Sequence, residues 1–378
     1  MEGFRYAGLN DKTVMSWKPK ILDVYITKKF MVTFFVALLL IIGIIIIFDL
    51  SEKVDDFVQK KAPIQAILFK YYLNFIPYYM NMFSPLFVFI TVIFFTSRMA
   101  ANSEIVAILS CGVSFHRMMV PYIFSAAIIA MLSLSLNLWV IPRANSVRHE
   151  FENTYVKKKN TLAQENVHYQ INPGEYVYVQ SFSKWNNTAY KFTLKKVEGK
   201  NLLSKISAES AAWDSVARCW HLKKCFVREM ENGILKDKVY LREEMDTTLS
   251  LTIEDFYRRK NTVQDLPQDQ LEDLISMQEL RGDKDIKYAL IEYHNRFALP
   301  FSAFILTLIG VSLSSKKKRG GLGWNLATGI ALSFSYILFM RFSEMFVFTD
   351  TMPAALAIWF PNIIYAIIAV VLYRIAPK

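Results

Sequence analysis

Cysteine, histidine and glycine are scarce in this 378-residue chain, at three, five and thirteen residues. Cys219 and Cys225 fall on one predicted strand, where an extended backbone would hold them about 20 Å apart. A disulfide needs Cα atoms within ~7 Å, so no bridge is expected, and Cys111 stands alone in a distant segment. The histidines (His116, His149, His168, His221, His294) lie on separate elements, whereas a metal site needs convergent ligands. The chain lacks G-x-x-x-x-G-K-[ST], H-E-x-x-H and G-x-S-x-G. It therefore carries no signature for cradling nucleotide phosphates, for zinc peptidase chemistry or for a hydrolase nucleophile. No cofactor and no catalytic residues are expected in this chain.

Charge is also missing over long distances. Phe30 to Phe48, Tyr71 to Ser97, Met118 to Pro142, Phe297 to Ser315, Gly320 to Met340 and Thr351 to Tyr373 contain no Asp, Glu, Lys or Arg. Each can cross a hydrocarbon core of ~30 Å, which needs about 20 helical residues. With 53% hydrophobic residues, the composition is that of a membrane protein with six spans. The first run is not expected to be a cleaved signal, because it is long, follows a basic segment and lacks a small-residue cleavage site. Basic residues crowd the N-terminal segment (Arg5, Lys12, Lys18, Lys20, Lys28, Lys29), the second loop (Arg98, Arg117), the fourth (Lys316 to Arg319) and the tail (Arg374, Lys378). That bias predicts cytoplasmic termini and a cytoplasmic second loop. The net charge of +11 reads as this topology signal plus a basic extramembrane domain, so no nucleic-acid partner is expected.

The order of segments gives the architecture. Residues 1–142 hold an N-terminal segment and three spans; residues up to Pro19 look unstructured, and Ile21 to Phe30 form an amphipathic lead-in. Asn74, Pro77, Asn81, Ser84 and Pro85 place the second span inside the bundle, where neighbours can bond the carbonyls that proline frees. Trp139 closes the third span, and a charged helical extension follows from Arg143 to about Lys159. Residues 143–265 then turn to strand patterns at Tyr176–Val179, Tyr190–Leu194, Trp220–Val227 and Thr247–Thr252. Turns are expected at Asn172-Pro-Gly, Asn186-Asn and Glu231-Asn-Gly, which suggests a β-sandwich or open jelly roll outside the cytoplasm. Residues 266–378 begin with an amphipathic helix ending at Gly282 and a second helix from near Asp285 that runs into the fourth span. The expected fold class is an α-helical membrane protein with six transmembrane helices and an all-β, jellyroll-like domain inserted between the third and fourth.

Two places carry candidate function. The first is the polar island between the second and third spans. There Ser103 can cap a short helix near 103–112, Glu104 suits its first turn, Ile105, Ile108 and Leu109 form one apolar stripe, Gly112 stops it and Ser114 caps the next helix. Spacing leaves two readings open, a turn lying on lipid headgroups or a helix that docks a partner. The second is the charge near the spans: Arg341 and Glu344 can pair at i, i+3, and Lys53 lies just beyond the first span among acidic neighbours, able to meet an anionic headgroup or be neutralised locally.

The island from Ser103 to Ser114 resembles the loop motif of the lipopolysaccharide-export permeases, the LptF/LptG family. So do Leu22-Asp23-Val-Tyr25-Ile26, Tyr293-His-Asn-Arg296-Phe-Ala298-Leu299-Pro300 with Leu308 to Leu313, and Pro353 with Ala357 to Asn362. The four motifs occur in register over essentially the whole chain. The resemblance implies a permease subunit of an ABC transporter that extracts lipopolysaccharide from the inner membrane, with ATP bound and hydrolysed by a partner. Implied partners are a cytoplasmic LptB-like ATPase dimer, a second LptF/LptG-type permease, LptC/LptA-like periplasmic jellyroll proteins and lipopolysaccharide itself. The island then becomes the ATPase-coupling helix, carried by Ser103, Glu104, Ala107, Ser110 and Gly112, and Lys53, Arg341 and Glu344 become candidates for substrate contact. A membrane-bound lipid-modifying enzyme or an envelope scaffold is the alternative; the enzyme would need a His, Asp or Glu cluster at the membrane face, and the sequence shows none.

Overall fold

The computed structural model describes residues 20–156, 165–183, 185–199, 201–215, 217–230, 237–249, 251, 260–283, 285–315 and 321–376. The opening segment, the Glu231–Gly233 turn and the Lys316–Arg319 run lie outside them. Six helices are long and apolar enough to cross a membrane: Ile21–Gln59, Ile64–Ala101, Phe115–Tyr155, Ile286–Ser314, Leu326–Phe348 and Ala354–Ile375. The helices outrun the uncharged stretches because lysine and acidic side chains at their ends reach water while the backbone continues. The expected lead-in at Ile21 is thus the first three turns of the first span, and the extension after Trp139 continues the third span to Tyr155.

The second and fourth spans form the centre, with 72% and 67% of their most apolar windows buried against 22–33% for the other four. The first span packs on the second and third, and the fifth packs on the second, fourth and sixth. On the first span Ile26, Phe30, Phe34, Leu38 and Ile42 are buried at strict i, i+4 spacing, while Val36, Leu39, Leu40 and Ile47 are exposed. Such a single buried stripe is what a peripheral helix shows. Close approach at the centre depends on two glycines. A Cβ on Gly310 would stand 2.9 Å from Val92 Cγ1, and one on Gly329 2.5 Å from Ile93 Cδ1.

Proline shapes the same interior. Each proline inside a helix leaves the carbonyl four residues earlier without its amide donor. For Pro300 that carbonyl belongs to Arg296, and Asn137 Nδ2 of the third span donates to it at 3.1 Å. For Pro361 it belongs to Ala357, and Ser343 Oγ of the fifth span donates to it at 2.5 Å. The second span holds Pro77 and Pro85 together with one wide turn over Ile67–Tyr72, and the third has a similar wide turn over Leu136–Val140 that carries Asn137. Such turns re-aim side chains within a helix.

Between the third and fourth spans lies one antiparallel sheet of six strands: β1 (Glu165–Asn172), β2 (Glu175–Ser183), β3 (Thr188–Glu198), β4 (Asn201–Asp214), β5 (Cys219–Met230) and β6 (Asp237–Thr247). Each strand pairs with the next, so among the described residues the all-β insert is a single open meander, the open one of the two forms expected. Val177, Val179, Phe182, Phe192, Leu194, Trp220, Leu222 and Val227 fill one face, and Leu251 closes on them as Trp220 Nε1 donates to its carbonyl at 2.9 Å. One expected strand is corrected. Of Thr247–Thr252, Thr247 ends β6, and Thr248, Leu249 and Leu251 lie outside the ladder with Leu249 and Leu251 entering the core; Ser250 and Thr252 fall outside the described residues. The helix Gln268–Arg281 ends at Gly282 as expected and packs on the fourth span and β1.

The proline arrangement gives a test. Ser343→Ala leaves the Ala357 carbonyl unbonded and should destabilise the bundle by about 1–3 kcal/mol, read as a lowered unfolding midpoint in detergent. Ser135→Ala, whose hydroxyl bonds only Met131 of its own helix, should leave the midpoint in place.

Candidate functional sites at the two ends of the bundle

The island folds as a two-turn helix, Glu104–Ser110, on the end of the bundle that also carries the first and last described residues. Ile105 is buried, and Ile108 and Leu109 pack on the core of the first three spans, so the expected apolar stripe faces inward. Val106, Ala107 and Ser110 face outward with Ser103 and Cys111. Gly112 has φ +83°, the left-handed stop, and Ser114 Oγ accepts from the Arg117 amide at 3.3 Å. Ser103 does not cap the helix: its φ of 62° turns the chain left-handed, and its side chain makes no capping bond. The backbone makes that turn so sharply that the hydroxyl cannot reach the exposed amides.

Two polar clamps hold this region to the start of the first span, one from Glu104 of the short helix and one from Arg117 in the first turn of the third span. Arg117 donates to both carboxylate oxygens of Asp23, at 2.7 and 2.6 Å. Glu104 accepts from Tyr25 Oη at 3.1 Å, and Lys29 Nζ donates to that same hydroxyl at 2.7 Å while standing 3.8 Å from the carboxylate. Asp23 and Tyr25 therefore serve the island across more than seventy residues of chain. The end of the sixth span joins them, as His116 Nδ1 bonds Tyr373 Oη at 3.1 Å.

At the sheet-bearing end, Lys53 is engaged. Its ammonium donates to Asp49 at 2.7 Å and to Tyr71 Oη, and it stands 3.9 Å from Glu152. Glu152 faces Arg148 at 3.8 Å, Arg148 bonds His149 at 3.2 Å, and His149 bonds Asp265 at 2.8 Å. A ladder of polar and charged groups thus runs from the first span to the segment before the linker helix. The structure does not bring Lys53 together with the other two candidates. Arg341 and Glu344 do pair, at 3.1 Å, and Asn295 Nδ2 adds a bond to Glu344 at 3.2 Å. They line a cleft of about 890 Å³, including its open mouth, between the second, third, fourth and fifth spans, with Tyr78, Phe83, Leu299 and Met340. The Glu344 side chain is 17% exposed and that of Arg341 58%, so the guanidinium is the part open to a ligand.

The sheet holds one further titratable cluster. His221 of β5 bonds Asp246 of β6 through Nδ1 and lies 3.4 Å from Asp214 of β4 through Nε2. The Asp246 and Asp214 carboxylates hold its imidazole above the ordinary 6.5. Cys219 and Cys225 sit on this same strand as free thiols. Among the described residues no three His, Cys, Asp or Glu side chains form a metal-binding group.

The family model described as lipopolysaccharide export system permease LptF/LptG matches residues 24–375, nearly the whole chain. No curated protein sequence matches significantly.

Two outcomes follow from these contacts. Arg117→Ala releases one clamp, and the amides of Glu104–Ser110 should exchange with deuterium about tenfold faster or more. His221 binds its proton more tightly in the folded sheet than in the unfolded chain, so its stabilisation is complete below pH 6.5 and is lost as pH rises through the raised value. Protection factors in β5 and β6, with the intrinsic pH dependence of amide exchange removed, should therefore fall as pH rises above 6.5, and His221→Gln should flatten that fall.

Proposed function

The chain belongs to the lipopolysaccharide export system permease LptF/LptG family, transport permeases of the inner membrane that work in an export complex with other Lpt proteins. From that membership we propose that it is one of two permeases driven by a separate cytoplasmic LptB-like ATPase dimer, and that the short helix Glu104–Ser110 is where the ATPase pushes. The observation that carries this reading is the helix's two-faced packing. Its apolar stripe packs on the core of the first three spans and Glu104 holds Tyr25 of the first span, while Ser103, Val106, Ala107 and Ser110 leave an outward face of mostly small residues. Small residues let another protein's surface approach closely, and they cost little side-chain entropy to bury.

In this reading both termini are cytoplasmic and the sheet is periplasmic. Movement of the helix passes to the first span through Arg117–Asp23 and through Glu104–Tyr25–Lys29. Docking of Glu104 on the ATPase competes with its hold on Tyr25 and so links docking to release of the first span. The cleft at the other end takes part of the glycolipid. Arg341, with one carboxylate partner and an exposed guanidinium, supplies the cation for a lipid A phosphate, and Glu344 holds it in place. Lys53 already has an anion and a hydroxyl, so its role is to set the outer end of the first span. The sheet's apolar face then receives acyl chains and hands them to LptC/LptA-like jellyroll proteins toward the outer membrane.

The test uses the complex purified through a tag on this chain. Co-purification of an ATPase subunit with a lipid A-type glycolipid, read by mass spectrometry, supports the class of machine. Glu104→Ala should lower co-purified ATPase and glycolipid-stimulated hydrolysis about tenfold; unchanged assembly and turnover would remove the coupling role from this helix.

A further inference from the structure

The proline-freed carbonyl of Arg296 and the side chain of the same residue lead to different parts of the molecule. On the main-chain side, Ser133 Oγ donates to Asn81 Oδ1 at 2.5 Å, and Asn81 Nδ2 donates to Asn137 Oδ1 at 2.5 Å. Asn137 Nδ2 then donates to the Arg296 carbonyl at 3.1 Å. The second, third and fourth spans are thereby joined in one line of bonds, and Asn137 reaches it from the wide turn in its helix. On the side-chain side, Arg296 Nη2 donates to the Leu266 carbonyl at 2.8 Å and Nη1 to Gln268 Oε1 at 3.1 Å. Nε donates to Glu292 on the same helix at 3.1 Å. Leu266 and Gln268 belong to the strap by which the chain returns from the sheet to the bundle. Beside them, Asp265 is bound by His149 of the third span.

Arg296 is 2% exposed, so this is a buried guanidinium with each of its three nitrogens bonded to a different acceptor. A buried charge is tolerated only when it is paired and its donors are used. Fully satisfied buried networks fix a geometry more than they add net stability. The strap is therefore held at a defined place on the fourth span, the helix whose bond ladder Pro300 interrupts.

We propose that Arg296 is a positioning residue that fixes the β-sheet domain to the moving spans, so that a change in packing of the second, third and fourth spans is carried into the placement of the sheet. Resting on the export reading above, Arg296 borders the glycolipid cleft, but its side chain is buried and its three nitrogens are taken by Leu266, Gln268 and Glu292, so its role is to set how much glycolipid reaches the sheet for each ATP hydrolysed. Lysine cannot replace it, since one ammonium cannot reach three acceptors set in the plane of a guanidinium.

The test separates positioning from folding. In proteoliposomes containing lipopolysaccharide and the intact complex, glycolipid delivered per ATP is measured beside the hydrolysis rate and the unfolding midpoint. Arg296→Gln and Arg296→Lys should each lower delivery per ATP about fivefold or more while hydrolysis stays within about twofold. Gln268→Ala, which removes one strap contact and leaves the buried charge in place, should give a smaller loss of the same kind. Spin labels on the exposed Cys111 and on Trp185→Cys in the β2–β3 turn should report a single distance in the parent that broadens in all three variants. Unchanged delivery per ATP with an unchanged distance would overturn the proposal. So would loss of hydrolysis, assembly and midpoint in step in all three variants, which would mark the contacts as structural only. A parent complex that delivers no glycolipid with ATP would instead count against the export reading, and the spin-label distances would still decide the positioning role.

Discussion

Within a bilayer core there is no water to bond a main-chain carbonyl, and each proline inside a helix removes the donor from one of them. That constraint ties together residues far apart in this chain. Pro300 makes Asn137 necessary, and Pro361 makes Ser343 necessary. Two polar residues of the spans, Asn137 and Ser343, are thus the other halves of proline interruptions on neighbouring helices. The fourth span, bent at Pro300 and crossed closely at Gly310, becomes the element on which the third, fifth and sixth spans and the strap before the linker helix all converge.

The two ends of the bundle are held by different physics. At the terminal end the contacts are partly exposed ion pairs, Asp23 with Arg117 and Lys29 with Glu104, which are screened by salt and individually weak. Deep in the sheet-bearing end, Arg296 and Asn81 are buried, each nitrogen of the guanidinium has an acceptor, and Asn81 bonds the half-buried Asn137. Contacts of the first kind can be exchanged for those of a partner at small cost. Those of the second kind cannot, because a broken one leaves a bare polar group in an apolar surround.

Much of this was legible in the residues. Uncharged runs located all six spans, the Ile105–Ile108–Leu109 spacing gave the inward face of the island helix, and the Arg341–Glu344 spacing gave a pair that forms. What escaped did so for identifiable reasons. Asn201–Asp214 is the longest strand among the described residues, yet eight of its 14 residues are Ser, Ala, Lys or Glu, which carry little strand preference. Asp237–Thr247 is a charged edge strand held by main-chain bonds to β5 and burying little, so its pattern has no apolar alternation to read. Tyr25 and Lys29 beside Glu104, and Tyr71 and Glu152 beside Lys53, lie on other helices where no spacing rule reaches; only Asp49, four residues before Lys53, was within reach of the sequence. Asp23 and Tyr25 stood out only as part of a family motif; the clamps explain why those residue types occur there.

The first helix runs unbroken for 39 residues, about 58 Å at 1.5 Å per residue, nearly twice the thickness of the hydrocarbon it crosses. It is pinned at Asp23 by Arg117 and bound at Asp49 and Lys53 to Tyr71, with only one narrow stripe against the bundle between them. Such a helix is a rod with a pivot near one end. A tilt of about 5° about Asp23 sweeps Lys53, about 45 Å away along the axis, by roughly 4 Å. That is enough to part an ion pair or to open a slot the width of an acyl chain, so a shift too small to notice at the short helix is a full side-chain displacement at the far membrane surface.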